Sequence, residues 1–250
     1  MSFGQGEMAN FIRLFRSMKF DPFIIYEDNQ SLILEKPAGL LSQGDHTGDE
    51  NLFDLLKEYL KIKYEKPGNV YLGSIHRLDR PVGGIMLFGK TSKATSRLQD
   101  QMKAGLIKKK YLAITEKHPD IEEADLVHYL SKDESKNKSK VYDYPKKDCK
   151  ICKLHYKVLA NIKGLALLDI ILDTGRSHQI RAQLAHMGFP IKGDSKYGNS
   201  TGIKHEHLGL FAYQLGFTHP VTKEWMEFSH FPVSDKNFNP FKPFYPRNGS

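Results

Sequence analysis

The sequence predicts an α+β fold, one domain around a mixed, largely antiparallel β-sheet flanked by helices and loops. Three observations carry that expectation. Short apolar runs bounded by turn residues outnumber stretches with helical spacing, and most are joined as hairpins rather than by helical crossovers. No internal repeat or linker divides the chain. Its 250 residues are enough to enclose one substantial core.

The elements follow in order. "FIIYEDNQSLILEKPAGLL" has apolar runs at Phe23–Tyr26 and Ser31–Leu34 around a polar turn, then a Pro-Ala-Gly break, so it predicts a hairpin and a loop. Leu52, Leu55, Leu56, Tyr59 and Leu60 recur at helical spacing and predict a helix over 51–63. "GIMLFGK" reads as a short buried strand. "TSKATSRLQDQMKAG" reads as a helix capped by Thr91, with an Ala94/Leu98/Met102 stripe and Gly105 at its stop. "KKKYLAITE" predicts another strand.

Residues 131–150, rich in Lys, Ser, Asp and Asn, predict a solvated loop or hairpin insertion. "KLHYKVLA" and "LALLDIIL", joined by "NIKG", predict a second hairpin. "SHQIRAQLAHMG" predicts a helix over 177–187 with Ser177 as cap and an Ile180/Leu184/Met187 apolar stripe. Short strands around "THPVTKE" follow, and the Pro/Asn-rich last dozen residues predict a loose tail.

Composition narrows the function classes. Lys and Arg number 37 against 29 Asp and Glu, a net charge of +8 that favours a polyanionic partner. No apolar run approaches the ~18 residues of a membrane helix. The opening "MSFGQGEMANFIRLFRSMKF" is broken by Arg13 and Arg16 and lacks a cleavage site, so no signal peptide is expected. The two cysteines, in "CKIC" at 149–152, form no disulfide framework, which makes a reducing cytoplasm the default. With His155 they make C-x-x-C-x-x-H, part of a zinc set that "HEH" at 205–207 could complete. The plainer expectation is a lysine-rich loop with two thiols and no metal.

Chemistry concentrates in "SIHRLDRPVGG" at 74–84, where Asp79 lies between Arg77 and Arg80 with His76 just before them. Opposite charge nearby favours the ionised form of a carboxylate, and an ionised carboxylate is a nucleophile. The same pattern also suits a salt-bridged turn, and the residues alone leave both open. In "TGRSHQIR", Arg176 precedes a helix N-terminus, where free N–H groups favour anions, and His178 and Arg181 share a stripe. That cluster faces either an anion or solvent. The Walker, dinucleotide, zinc-protease and nucleophile-elbow motifs are all missing, and a lone acid cannot run a two-carboxylate glycosidase mechanism.

"SIHRLDRPVGGIMLFGKT" resembles the signature loop of pseudouridine synthases of the RluA type. "IIYEDNQSLILEKPAGL" resembles their opening hairpin and Lys-Pro-x-Gly turn, "KKKYLAIT" their tyrosine-bearing strand, and "LDTGRSHQIRAQLAHMGFPIKGDSKYG" their longest motif. "GFTHPVTKEWMEF" is similar to their closing segment, and the matches run in family order over residues 23–232. The resemblance implies an isomerase that converts uridine in rRNA or tRNA to pseudouridine without metal or organic cofactor. It puts the essential aspartate on Asp79, the active-site tyrosine on Tyr111 and the basic partner of the aspartate on Arg181. His76, Arg77, Arg80, Arg176, His178 and Gln179 are the expected RNA contacts.

Flipping a uridine into a pocket costs a few kcal/mol, and stacking on Tyr111 would return roughly 1–3 kcal/mol. The expected organisation is an N-terminal extension over 1–20, a catalytic domain over 21–235 and a tail over 236–250. The extension is too short for the small RNA-binding domain some members carry, so substrate choice would fall to the catalytic domain and its 131–150 insertion. A monomer in the cytoplasm, with no membrane partner, is expected. The chain departs from the family pattern at Val82-Gly83-Gly84, where Thr-Ser-Gly is usual, and at Gln183 and Phe211, where histidine is common. A catalytically silent RNA-binding relative or RNA chaperone is the alternative. A small-molecule enzyme with an aspartate nucleophile is the third reading.

Overall fold

A computed structural model describes residues 23–198 and 207–246. The N-terminal extension and His205 and Glu206 of the "HEH" run lie outside them. The fold is α+β around a mixed, largely antiparallel sheet, with eleven strands and three α-helices among the described residues. The contacts of the described residues group into two compact units, one within 1–107 and 214–230, the other within 108–213 and 231–250.

In the first unit, β1 (Ile24–Glu27) and β2 (Ser31–Lys36) form the expected hairpin. Its turn is fixed by Asp28, whose Oδ1 accepts from the Gln30 and Ser31 amides at 2.8 and 2.6 Å. β2 pairs antiparallel with β4 (Gly83–Gly89) from Ser31 opposite Gly89 to Lys36 opposite Gly84, and the two-residue β3 (Gly73–Ser74) adds to β4. β4 is buried throughout, as a strand covered on both faces must be, which accounts for its unbroken apolar run.

α1 (Leu52–Lys63) starts at Asn51, whose Oδ1 accepts from the Asp54 amide, and α2 (Ser92–Lys103) starts at the expected Thr91 cap. α2 seats closely on the strands because Gly73 and Gly89 leave the space that Thr95 fills; a Cβ on either would stand within 2.4 Å of its side chain. Ile33, Ile85, Leu87, Leu98, Leu215 and Phe217 make this unit's core. The chain returns to it within β10 (Leu210–Thr218), against which β11 (Trp225–Ser229) pairs over residues 214–218.

The second unit is an antiparallel succession of β5 (Lys108–Thr115), β9 (Leu165–Leu172), β8 (Lys150–Ile162), β6 (Glu123–Asp133) and β7 (Lys138–Tyr142). The "NIKG" hairpin is present but longer than expected on its β8 side. Residues 131–150 take the hairpin form of the expected insertion, through the end of β6 and all of β7. β6 itself was not foreseen. Leu126, His128 and Leu130 point inward at period two while Asp125 and Val127 face out.

α3 (Gln179–His186) begins one residue later than the Ser177 cap predicted, because His178 takes a left-handed conformation with φ 54° and turns the chain into the helix. Met187 lies past the helix end and is exposed rather than part of its apolar stripe. The expected loose tail is anchored as well. Phe238 and Phe241 are buried with Leu112, Ile114, Leu167, Phe211 and Tyr213 around a 3₁₀ turn at Asn239–Phe244. Two aromatic anchors outweigh the Pro/Asn composition there.

Candidate active site

Asp79 sits in the loop 75–82 between β3 and β4, with Ile75, Leu78 and Val82 buried beneath it. The loop is tied on every side. The Val82 amide donates to the Asp79 carbonyl at 2.9 Å, and the Gly39 amide donates to the Arg80 carbonyl at 2.7 Å. Ser42 Oγ donates to the Leu78 carbonyl at 2.7 Å and accepts from the Leu78 amide at 3.1 Å. These bonds hold the loop although Gly83 brings no side chain to it. Gly84 has φ 127°, a conformation that suits glycine, where the chain leaves the loop for β4.

A residue absent from the expected set anchors this loop. The Lys36 side chain is fully buried, and its Nζ donates to the carbonyls of Pro37 at 2.9 Å, Leu40 at 2.8 Å and Arg80 at 3.3 Å. Burial brings its amine down to about 7, while the Asp79 carboxylate favours the charged form and Arg80 opposes it. Three carbonyls facing one nitrogen match the three donors of an ammonium, so we assign the charged form. The Asp79 loop therefore rests on a buried cation. A lysine beside proline reads as a surface residue in sequence, so nothing but the Lys-Pro-x-Gly resemblance pointed to it.

The other loop residues divide. His76 is half-buried, and its Nε2 accepts from the Leu87 amide at 3.1 Å, which fixes the tautomer with the proton on Nδ1. Arg77 is exposed. Arg80 is exposed too, donating from Nε to the Gly39 carbonyl and pairing with Asp49 at 2.7 Å.

In the second unit Tyr111 is the fourth residue of β5, opposite Ile170 and 7% exposed. Lys109 lies two residues earlier, so it shares the Tyr111 face. Its amine reaches the turn before α3, 3.4 Å from where a Cβ on Gly175 would stand. That face of β5 thus looks toward the segment that enters α3.

The segment is built around Gln179. Its Oε1 accepts from the Thr174 hydroxyl at 2.7 Å and the Arg176 amide at 3.0 Å, and its Nε2 donates to the Lys153 carbonyl at 3.0 Å. Gln179 is 3% exposed with both ends of its amide committed, which makes it a scaffold for the turn. Arg176 is exposed and donates from Nε to the Ile151 carbonyl at 3.2 Å. His178 is buried, its Nδ1 2.9 Å from the Tyr197 hydroxyl.

Arg181 emerges from the first turn of α3 into a buried fork. Its Nε and Nη2 donate to Asp194 Oδ2 and Oδ1 at 2.8 and 2.7 Å, and its guanidinium lies 5.4 Å over the Tyr197 ring. Burial pushes the Asp194 carboxyl up, but the fork and the Lys196 and Tyr197 amides outweigh it and hold the carboxyl below its ordinary value. Asp194 and Tyr197 were missed by sequence reasoning, although both stand in the quoted "KGDSKYG". Of the departures, Gln183 is fully buried and donates to the Leu126 carbonyl, and Phe211 is a core residue.

The cysteine set does not assemble. Cys152 and His155 are three apart on β8 and so face opposite sides. Burial pushes the Cys152 thiol up to about 11, and His155 is engaged with Asp125 at 2.9 Å and Glu123 at 3.2 Å.

Residues 30–186 match the family described as RNA pseudouridylate synthase. The chain belongs to that family. The ribosomal large subunit pseudouridine synthase C of Buchnera aphidicola subsp. Baizongia pistaciae is 33% identical over 218 residues, 83% of this chain and 66% of the relative. The ribosomal large subunit pseudouridine synthase D of Zymomonas mobilis is 29% identical over 220 residues, 82% of this chain and 67% of the relative. The chain thus spans about two thirds of these relatives. Human RNA pseudouridylate synthase domain containing 4 superposes with a TM-score of 0.73 at 21% identity, covering 90% of this chain and 93% of its own, which places the two in one fold.

Proposed function

We propose that this protein isomerises uridine to pseudouridine in RNA, with ribosomal RNA the favoured substrate and Asp79 the essential carboxylate. The observation that carries the reading is the Asp79 loop. In a chain of this family, the one carboxylate of the signature motif stands in a loop fixed by backbone bonds and a buried ammonium. Reacting groups held in one geometry lower a barrier by pre-paid orientation, and a fixed loop supplies that. The ribosomal large-subunit enzymes named above support rRNA as the target class.

In this reading the N-glycosidic bond to uracil breaks, the base turns while held, and a carbon–carbon bond to the same sugar re-forms, so no atom is gained or lost. Asp79 attacks the sugar or base, or stabilises the displaced species. Tyr111 supports the flipped base and helps move a sugar proton. Arg181, oriented by Asp194, is the basic partner of the carboxylate. Arg77, Arg80 and Arg176, all exposed, suit phosphate contacts that position the RNA without reading its sequence. The enzyme acts as a monomer in the cytoplasm, where its two free cysteines stay reduced.

The test maps pseudouridine across total RNA from a host lacking the gene, complemented with wild type or with Asp79→Ala. A site restored by wild type alone supports the reaction and names the substrate. A site restored equally by both removes Asp79 from the chemistry.

A further inference from the structure

We propose that the second unit carries a transition-metal site of the zinc type, formed by His128 on β6, Asp143 just after β7 and His186 at the end of α3. Their donor atoms all lie within 4.8 Å of one another. His186 Nε2 stands 2.7 Å and His128 Nε2 3.7 Å from the same carboxylate oxygen, Asp143 Oδ1. Nitrogen and oxygen donors about 2.0–2.1 Å from a tetrahedral zinc stand about 3.3 Å apart, a value between those two distances. The imidazole rings are not stacked but meet edge to face at 81° with centroids 5.2 Å apart.

Two imidazoles and one carboxylate select zinc or a neighbouring first-row ion over calcium or magnesium, which prefer all-oxygen sites. Three protein donors leave a fourth position for water. Among the described residues this is the group of histidine, cysteine and acidic side chains that converges in this way.

A second observation points to a ligand. Gln183 is fully buried on α3, and its Oε1 has no hydrogen-bond partner. Its amide stands 2.9 Å from His128 Nδ1. A histidine that binds metal through Nε2 must carry its proton on Nδ1 and donate it to an acceptor behind the ring. Turning the Gln183 amide over brings its orphan oxygen onto that N–H, at the expense of the longer 3.3 Å bond to the Leu126 carbonyl. The acceptor that a metal-bound His128 requires is therefore already buried in place. Its presence also gives Gln183 a role that a packing residue would not need.

The ion would join three separate elements. β6 and β7 would be clamped to the C-terminal end of α3, whose first turn holds Arg181. The site is independent of the isomerisation reading, since none of its donors belongs to the proposed active site.

The test is titration of the chelator-stripped full chain with Zn²⁺, and with Co²⁺ as a visible-absorbing probe. His186 and Asp143 retain 32% and 71% of their side-chain exposure, so His186→Ala and Asp143→Asn should fold. The expected result is one equivalent bound, an absorption band for Co²⁺ typical of low coordination, and a thermal midpoint raised by Zn²⁺. Each variant should bind at least tenfold more weakly and lose the midpoint rise, while Cys149→Ser should behave as wild type. No stoichiometric binding to wild type would overturn the proposal. So would binding that survives unchanged in both variants.

Discussion

Arg181 and Asp194 form a two-bond fork with only 4% and 0% of their side chains exposed. Removing one member of a buried pair strands the other charge and costs about 3–5 kcal/mol. Asp194→Asn should therefore lower the unfolding midpoint. Because it frees the guanidinium to swing, it should also lower kcat on substrate RNA more than it changes KM. Arg181→Lys keeps the charge without the fork and should slow turnover comparably at a smaller loss of stability. Wild-type kcat in Asp194→Asn would leave Asp194 a folding element only.

Lys36→Met should loosen the Asp79 loop from below. Three carbonyls lose their donor, at a cost on the order of 2–4 kcal/mol after relaxation. Hydrogen exchange at the Gly39 and Val82 amides, which bond the loop's carbonyls, should accelerate in step with a fall in kcat. Unchanged exchange at both would show that Lys36 does not hold the loop.

Tyr111→Phe keeps the ring and removes the hydroxyl. A proton-moving role predicts a loss of about 10²-fold or more in kcat with RNA affinity nearly unchanged. Equal losses in both would reduce Tyr111 to a stacking surface.

Arg77 is exposed in the loop beside Asp79. As a phosphate contact, its replacement by alanine should weaken binding to all RNAs alike. The log–log salt dependence should become shallower by about 0.7–0.9. An unchanged slope would remove Arg77 from the backbone contacts.

His230 Nε2 meets Glu35 at 2.7 Å, and that carboxylate raises the imidazole pKa against the opposing effect of burial. A raised folded-state pKa contributes stability that is full below the unfolded value of about 6.5 and fades as pH rises through the folded one. His230→Gln should thus cost more stability at pH 6 than at pH 9. Denaturant melts at the two values measure the difference, and an equal cost at both would break the assignment.

Much of this was legible in the residues. Leucines at helical spacing behind Asn51, and Thr91 ahead of its helix, gave elements that appear almost to the residue, since both caps satisfy amides in their own first turn. What escaped depends on partners distant in sequence. β6 alternates buried Leu126, His128 and Leu130 with outward-facing neighbours, but the apolar Val127 among them and the lysine-rich end concealed the period. Phe238 and Phe241 look unanchored until the core that receives them is known. At the candidate site the loop and the helix carrying Asp79 and Arg181 were visible as motifs. The parts played by Lys36 and Asp194, though both stand within quoted motifs, were not, because each is defined by what it bonds: an amine among carbonyls, and a carboxylate 13 residues along from its arginine.

The two units are interlaced along the chain, which bears on the order in which they can form during synthesis. The first unit's core draws on Leu215 and Phe217, and the second's on Phe238 and Phe241. Residues 23–107, made ahead of β10, emerge from the ribosome without the strand that completes their core. They must wait until residues 214–230 have followed. Both units therefore reach completion within a few dozen residues of each other, and a nascent chain stalled ahead of β10 would hold neither.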